Sequence, residues 1–152
     1  AEQAAKLVDN TGKTALKAEM QSAKTALKIS GDDQFQALTE HDARFHALIA
    51  SISGNQSVAD SYERTHCHLH LFRLFMANKL HLIEGESRAK FVQDLFDEYY
   101  QVGSGQLALK EHEVIAKAII DQNSKAARTA MHAHIESSLK RFSPAAQAIN
   151  KK

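Results

Sequence analysis

The sequence predicts an all-α fold, an antiparallel bundle of six to seven helices around a central metal or ligand pocket. Three observations point there. One Pro, six Gly and no Trp, beside many Ala, Leu, Lys and Glu, favour helix over a sheet of many turns. Apolar residues recur in steps of three and four, the period of a one-sided helix. Short clusters of turn formers separate these periodic stretches. At 152 residues the chain is the size of one domain with a substantial single core.

The elements follow in order. A first helix runs from Glu2 to about Val8 and stops at Asp9-Asn10-Thr11-Gly12, a run of turn formers. A second spans about Lys13 to Ile29 and ends at Ser30-Gly31. Asp32 or Asp33 then caps a third helix, which closes at Ser53-Gly54. The fourth runs from near Asn55 to about Asn78 with the stripe Val58, Tyr62, Thr65, Leu69, Phe72, Met76. Between Leu80 and Gly85 the pattern is ambiguous. A fifth helix covers about Ser87 to Val102, followed by a loop at Gly103-Ser104-Gly105. A sixth extends from about Gln106 to Ile120, and Asp121-Gln122-Asn123-Ser124 makes a tight turn. The seventh continues from about Ser124 to Phe142, where Ser143-Pro144 should end it. The domain is thus expected over 1–143, with a frayed tail over 144–152.

Composition narrows the partners. A formal net charge of +1 gives no electrostatic case for nucleic acid. The single cysteine, Cys67, rules out an internal disulfide, fits a reducing, cytoplasmic setting, and reads as a packing residue. No apolar run is long enough for a bilayer and no signal peptide is visible, so no membrane role is expected. The chain begins with Ala rather than Met, as a processed product or fragment would.

Histidine is the unusual entrant: nine in the chain, roughly two- to threefold above ordinary usage, and dispersed rather than gathered in a tag. Phe35, Leu38, Asp42, Phe45, Ile49 and Ile52 form a helical stripe that puts Asp42 at a core position, with His46 one turn on. An unpartnered buried carboxylate costs several kcal/mol, so Asp42 should be paired, hydrogen-bonded or bound to a metal. His112 and His134 each lie eleven positions from Asn123, the centre of the tight turn. Residues equidistant from the turn of an αα-hairpin lie level, so the two should face each other across the core. Their stripes agree: Ala108, His112, Ile115, Ile119 on one helix and Met131, His134, Ser138, Phe142 on the other.

Asp42, His46, His112 and His134 together make a borderline donor set suited to a divalent ion, Zn first, with Ni, Mn or Fe also suited. An octahedral ion would keep positions open for water or a chelating ligand. The bland reading gives Asp42 an Arg or Lys partner and makes the histidines structural. A second cluster, His66-Cys67-His68-Leu69-His70, puts His66 and His70 one turn apart with Arg73 continuing their face. His66, His70 and Arg73 are candidates for touching a pocket ligand; solvation of most of that run is the plain alternative. Glu63 and His66 match one Glu-x-x-His unit of a di-iron bundle, but the second unit is missing. No phosphate loop, nucleophile elbow or Cys-x-x-Cys occurs.

Taken together, Asp42-Ala43-Arg44-Phe45-His46, Ser53-Gly54-Asn55, Glu111-His112 and Met131-His132-Ala133-His134 resemble the C-terminal effector-binding (FCD) domain of GntR-type transcription regulators, FadR subgroup. The family pattern is Asp-x-x-Phe-His, Ser-Gly-Asn, Glu-His and Met-x-x-His, and the resemblance covers nearly the whole chain. It implies a ligand-sensing, dimerising helical bundle joined to an N-terminal winged helix-turn-helix that this sequence lacks. It also implies a divalent metal on Asp42, His46, His112 and His134, and a small organic acid as effector. The resemblance places the start of the sequence inside the family's first effector-domain helix, so the family's ligand-binding arginines just upstream are not assigned to residues here, and the segment between His46 and His112 is longer than usual.

The expectation is therefore a cytoplasmic sensor domain and not an enzyme: a homodimer that binds a small carboxylate effector and meets DNA only through the absent N-terminal domain. The competing class is a metal-dependent enzyme on a helical bundle, with Glu111 as its general base.

Overall fold

The tetrad Asp9-Asn10-Thr11-Gly12, expected to separate two helices, is the beginning of the second. In the computed structural model, which describes residues 1–65, 84–87, 89–91 and 104–149, helix α1 spans Glu2–Leu7 and α2 spans Asn10–Ala26. Asp9 is the α2 N-cap: its Oδ1 accepts from the Gly12 amide at 2.7 Å. Turn formers and helix caps share the same side-chain chemistry, which is why one reads as the other. Gly12 packs close to the end of the third helix, since a Cβ there would meet Val8 at 3.1 Å and Ile52 at 3.3 Å.

Helix α3 covers Asp32–Ile52 and α4 covers Gln56–Thr65. At the start of α3 the cap position falls on Gly31, whose φ of 69° suits glycine, and no side chain caps it. The cap expected at Asp32 or Asp33 thus falls on the residue before them. Ser53 ends α3 as expected. Val58 does not join an apolar interface: half of its surface is exposed. The expected remainder of the fourth helix, most of the fifth and the 66–70 cluster lie outside the described residues.

Helix α5 spans Ser104–Ile120 and α6 spans Ser124–Ile149. Ser104 and Gly105, assigned to a loop by their composition, form the first turn of α5. Helix α6 also runs past the expected stop. Its backbone remains helical through Pro144, and the missing proline N–H forfeits one i to i−4 bond near the helix end. The 144–149 part of the expected tail is thus helical.

Between them lies a tightly specified turn. Gln122 takes φ 55°, its amide bonds to Ile119 at 2.9 Å, and the Asn123 amide bonds to Ala118 at 2.9 Å. This is a Schellman closure of α5. The Asn123 side chain then accepts from the Ala126 amide at 3.0 Å, capping α6.

The described residues contain no strand. α5 packs along α6, α2 along α3, and α1 fills the angle between α6, α5 and α3. The core joins Leu16 and Ala23 of α2, Phe45 and Ile49 of α3, Ile115 and Ile119 of α5, and Ala127 of α6. Burying each large aliphatic or aromatic side chain contributes roughly 1.5–3 kcal/mol. No helix among the described residues is long and apolar enough to cross a membrane. The all-helical bundle expected from the composition is the fold observed.

Candidate metal centre

Helices α3, α5 and α6 each direct imidazoles into one region of the core. The level placement of His112 and His134 follows from the closed turn: their Nε2 atoms are 3.3 Å apart. Asp42 Oδ1 lies 3.6 Å from His112 Nε2 and 3.6 Å from His46 Nε2. One donor atom from each of Asp42, His46, His112 and His134 falls within 4.8 Å of every other. Nitrogen and oxygen donors about 2.1 Å from a common zinc stand roughly 3–4 Å apart, so small side-chain shifts suffice to bring the set onto one ion. Three imidazoles and a carboxylate are also the right chemistry for a borderline divalent cation. The four residues selected by sequence are brought together, and they could hold a metal.

The burial differs from expectation in one respect. Asp42 is not a core residue: its side chain is 38% exposed, while its neighbour His41 is the buried one at 2%, beside His112 at 1% and His134 at 5%. A stripe through residue 41 fits steps of three and four as well as one through 42, so periodicity alone does not choose between them. The exposed part of Asp42 leaves the cluster open to solvent or a ligand. Its partners among the described residues are imidazoles, His46 and His112.

Electrostatics favour the state a metal requires. Burial works to raise the Asp42 pKa, but the adjacent His46, with His112 and His134, overrides it and holds the carboxyl at about 2. Burial, aided by the neighbouring His46, pushes His112 down to about 2. Burial also lowers His134, against the upward pull of Glu111. At neutral pH the carboxylate is ionised and both buried imidazoles are neutral, the forms that bind cations.

A supporting layer surrounds the four. His134 Nδ1 lies 2.8 Å from Glu111 Oε2, and Arg141 clamps the same carboxylate, Nη1 to Oε1 at 3.1 Å and Nη2 to Oε2 at 3.2 Å. His112 Nδ1 lies 3.0 Å from His41 Nε2, and His41 Nδ1 lies 2.8 Å from Glu19 Oε1. The Phe45 ring stacks on His112 with centroids 4.2 Å apart, and Tyr62 of α4 approaches His46 at 5.8 Å. Sequence reasoning missed Glu19, His41 and Arg141. His41 was findable from its alternative stripe; Glu19 and Arg141 carry no pattern that marks them. His66, His70 and Arg73, the candidate effector contacts, lie outside the described residues.

No curated protein and no solved structure matches the chain. A protein-family comparison does: the FCD domain family matches residues 1–137. The chain belongs to that family, the effector-binding C-terminal domain of GntR-family regulators.

Proposed function

We propose that this FCD domain senses a small organic acid through a divalent ion held by Asp42, His46, His112 and His134, in a cytoplasmic regulator of the FadR subgroup. The observation that carries the reading is the convergence of those four donor atoms within 4.8 Å. A bound ion, Zn in the first instance, supplies a Lewis-acidic anchor for a carboxylate oxygen. The protein's own part is to hold the donors in place: α3 supplies Asp42 and His46, and the closed α5–α6 hairpin supplies the other two. Acid binding then shifts the population of dimer geometries that position a DNA-binding domain, by as much as the two geometries differ in affinity for it. Exposed apolar side chains on α5 and α6, Val114, Ile135 and Leu139, support homodimerisation.

Glu111 argues against the enzymatic alternative. Both its oxygens are engaged by Arg141 and one also meets His134. Burial would raise its pKa, but Arg141, Ser137 and His134 together lower it. A carboxylate so held is a poor general base. Untagged protein analysed for bound metal is the direct test. Protein that is metal-free, and whose melting temperature neither Zn nor Ni raises, would contradict the proposal. Once metal binding is established, small carboxylates should bind saturably only to the loaded protein, without turnover.

A further inference from the structure

Glu19 on α2, His41 on α3 and His112 on α5 form a continuous hydrogen-bonded line that ends at the four-residue cluster. Its protons can be placed by elimination. A carboxylate only accepts, so the 2.8 Å contact to Glu19 Oε1 requires a proton on His41 Nδ1. A neutral imidazole has one N–H, which leaves His41 Nε2 as an acceptor. The 3.0 Å contact to His112 then requires the proton of His112 on Nδ1. His112 Nε2 is left with a bare lone pair, aimed at His134 Nε2 and Asp42 Oδ1.

The same logic holds at His134, whose Nδ1 donates to Glu111 at 2.8 Å and whose Nε2 is therefore bare as well. Two ring lone pairs 3.3 Å apart, with a carboxylate oxygen beside them, repel unless a cation lies among them. Glu19 is itself anchored, since Arg44 Nε donates to its Oε2 at 3.0 Å.

We propose that Glu19 and His41 are positioning residues of the metal centre: a carboxylate–imidazole relay that fixes His112 in the Nδ1–H tautomer and presents its Nε2 to a divalent ion. The inference rests on the reading of Asp42, His46, His112 and His134 as metal ligands. His134 Nδ1 meets a carboxylate directly, that of Glu111; His112 Nδ1 meets His41, which in turn meets the carboxylate of Glu19. Supporting groups of this kind orient ligating imidazoles and raise their basicity.

Long-range ¹H–¹⁵N correlation of the histidine rings in the metal-free protein at neutral pH tests the tautomer without any ion. His112 should show a protonated Nδ1 and an unprotonated Nε2; a proton on Nε2 overturns the relay. Zn titration of two variants tests its consequence. His41→Leu keeps bulk and removes the acceptor, and should weaken Zn binding about 10–100-fold. His41→Gln keeps a carbonyl acceptor and should recover most of that loss. His41→Leu protein that binds Zn as tightly as wild type overturns the proposal. Should it fail to fold, the wild-type ring spectrum still decides. If wild-type protein takes up no ion that Asp42→Ala removes, the metal reading fails, and the ring spectrum reports on the hydrogen-bond line alone.

Discussion

His112 and His134 bring their Nε2 atoms to 3.3 Å across 22 residues of chain, and the turn between them sets that distance. With Gln122 in the left-handed region and Asn123 capping α6, the hairpin has one register. Asn123→Ala removes the cap and should cost about 1 kcal/mol of stability, read as a lower urea midpoint with unchanged slope. Zn affinity should fall with it, because a frayed first turn of α6 loosens His134. Unchanged midpoint and affinity would show that the register is held elsewhere.

Asp42 separates a metal ligand from a structural carboxylate. Its side chain is 38% exposed, which screens its ion pairs, so Asp42→Asn should cost metal-free protein only about 1–2 kcal/mol, the loss of a partly screened carboxylate. The rise in melting temperature on adding Zn should be nearly abolished, a larger effect than the roughly 10–100-fold affinity loss typical of a supporting group. A large loss of apo stability with the Zn response intact is the opposite pattern, and it belongs to a carboxylate that merely completes a polar network.

The helical class, the hairpin and the four clustered residues were legible because each is a local or symmetric property. Helical stripes are read within a few turns, and equal distances from Asn123 need only the antiparallel rule. Two kinds of feature escaped. Helix ends did, because Asp9 carries chemistry that serves a turn and a cap equally. The supporting layer did too, because Glu19 and Arg141 meet their partners, His41 and Glu111, only through tertiary packing. His41 and Asp42 differ by one position, about 100° around α3, and the packing of α3 along α2, where His41 meets Glu19, turns His41 inward.

Arg141 holds Glu111 through two parallel contacts and is itself largely buried. Its fork geometry, rather than its charge alone, matches the carboxylate. Arg141→Met should destabilise the domain by about 1.5–3 kcal/mol, the range for losing hydrogen bonds to a charged group. Arg141→Lys should restore only a minor part, since an ammonium cannot bond both oxygens in that geometry. Thermal or urea unfolding of both variants checks this; full rescue by Lys would reduce the contact to simple charge pairing.

The pH profile of the metal-free protein follows from the buried imidazoles. His41, His112 and His134 are all lowered, with burial the largest cause in each. A histidine whose folded pKa lies below its unfolded value of about 6.5 binds its proton more readily when unfolded. Its stabilising contribution is complete above that value and is lost as pH falls towards the folded pKa. Each such group contributes a slope of up to about 1.4 kcal/mol per pH unit, so three acting together make the decline steep below about pH 6.5. Asp42, held at about 2, adds its own loss only between its ordinary value of 3.8 and that figure. Urea midpoints taken from about pH 8 to pH 5 should therefore fall well before any carboxylate titrates. Bound Zn should deepen the decline, because acid must then displace the ion from the same nitrogens. A flat profile through that window would mean that the three imidazoles take up protons in the folded core as easily as in the unfolded chain.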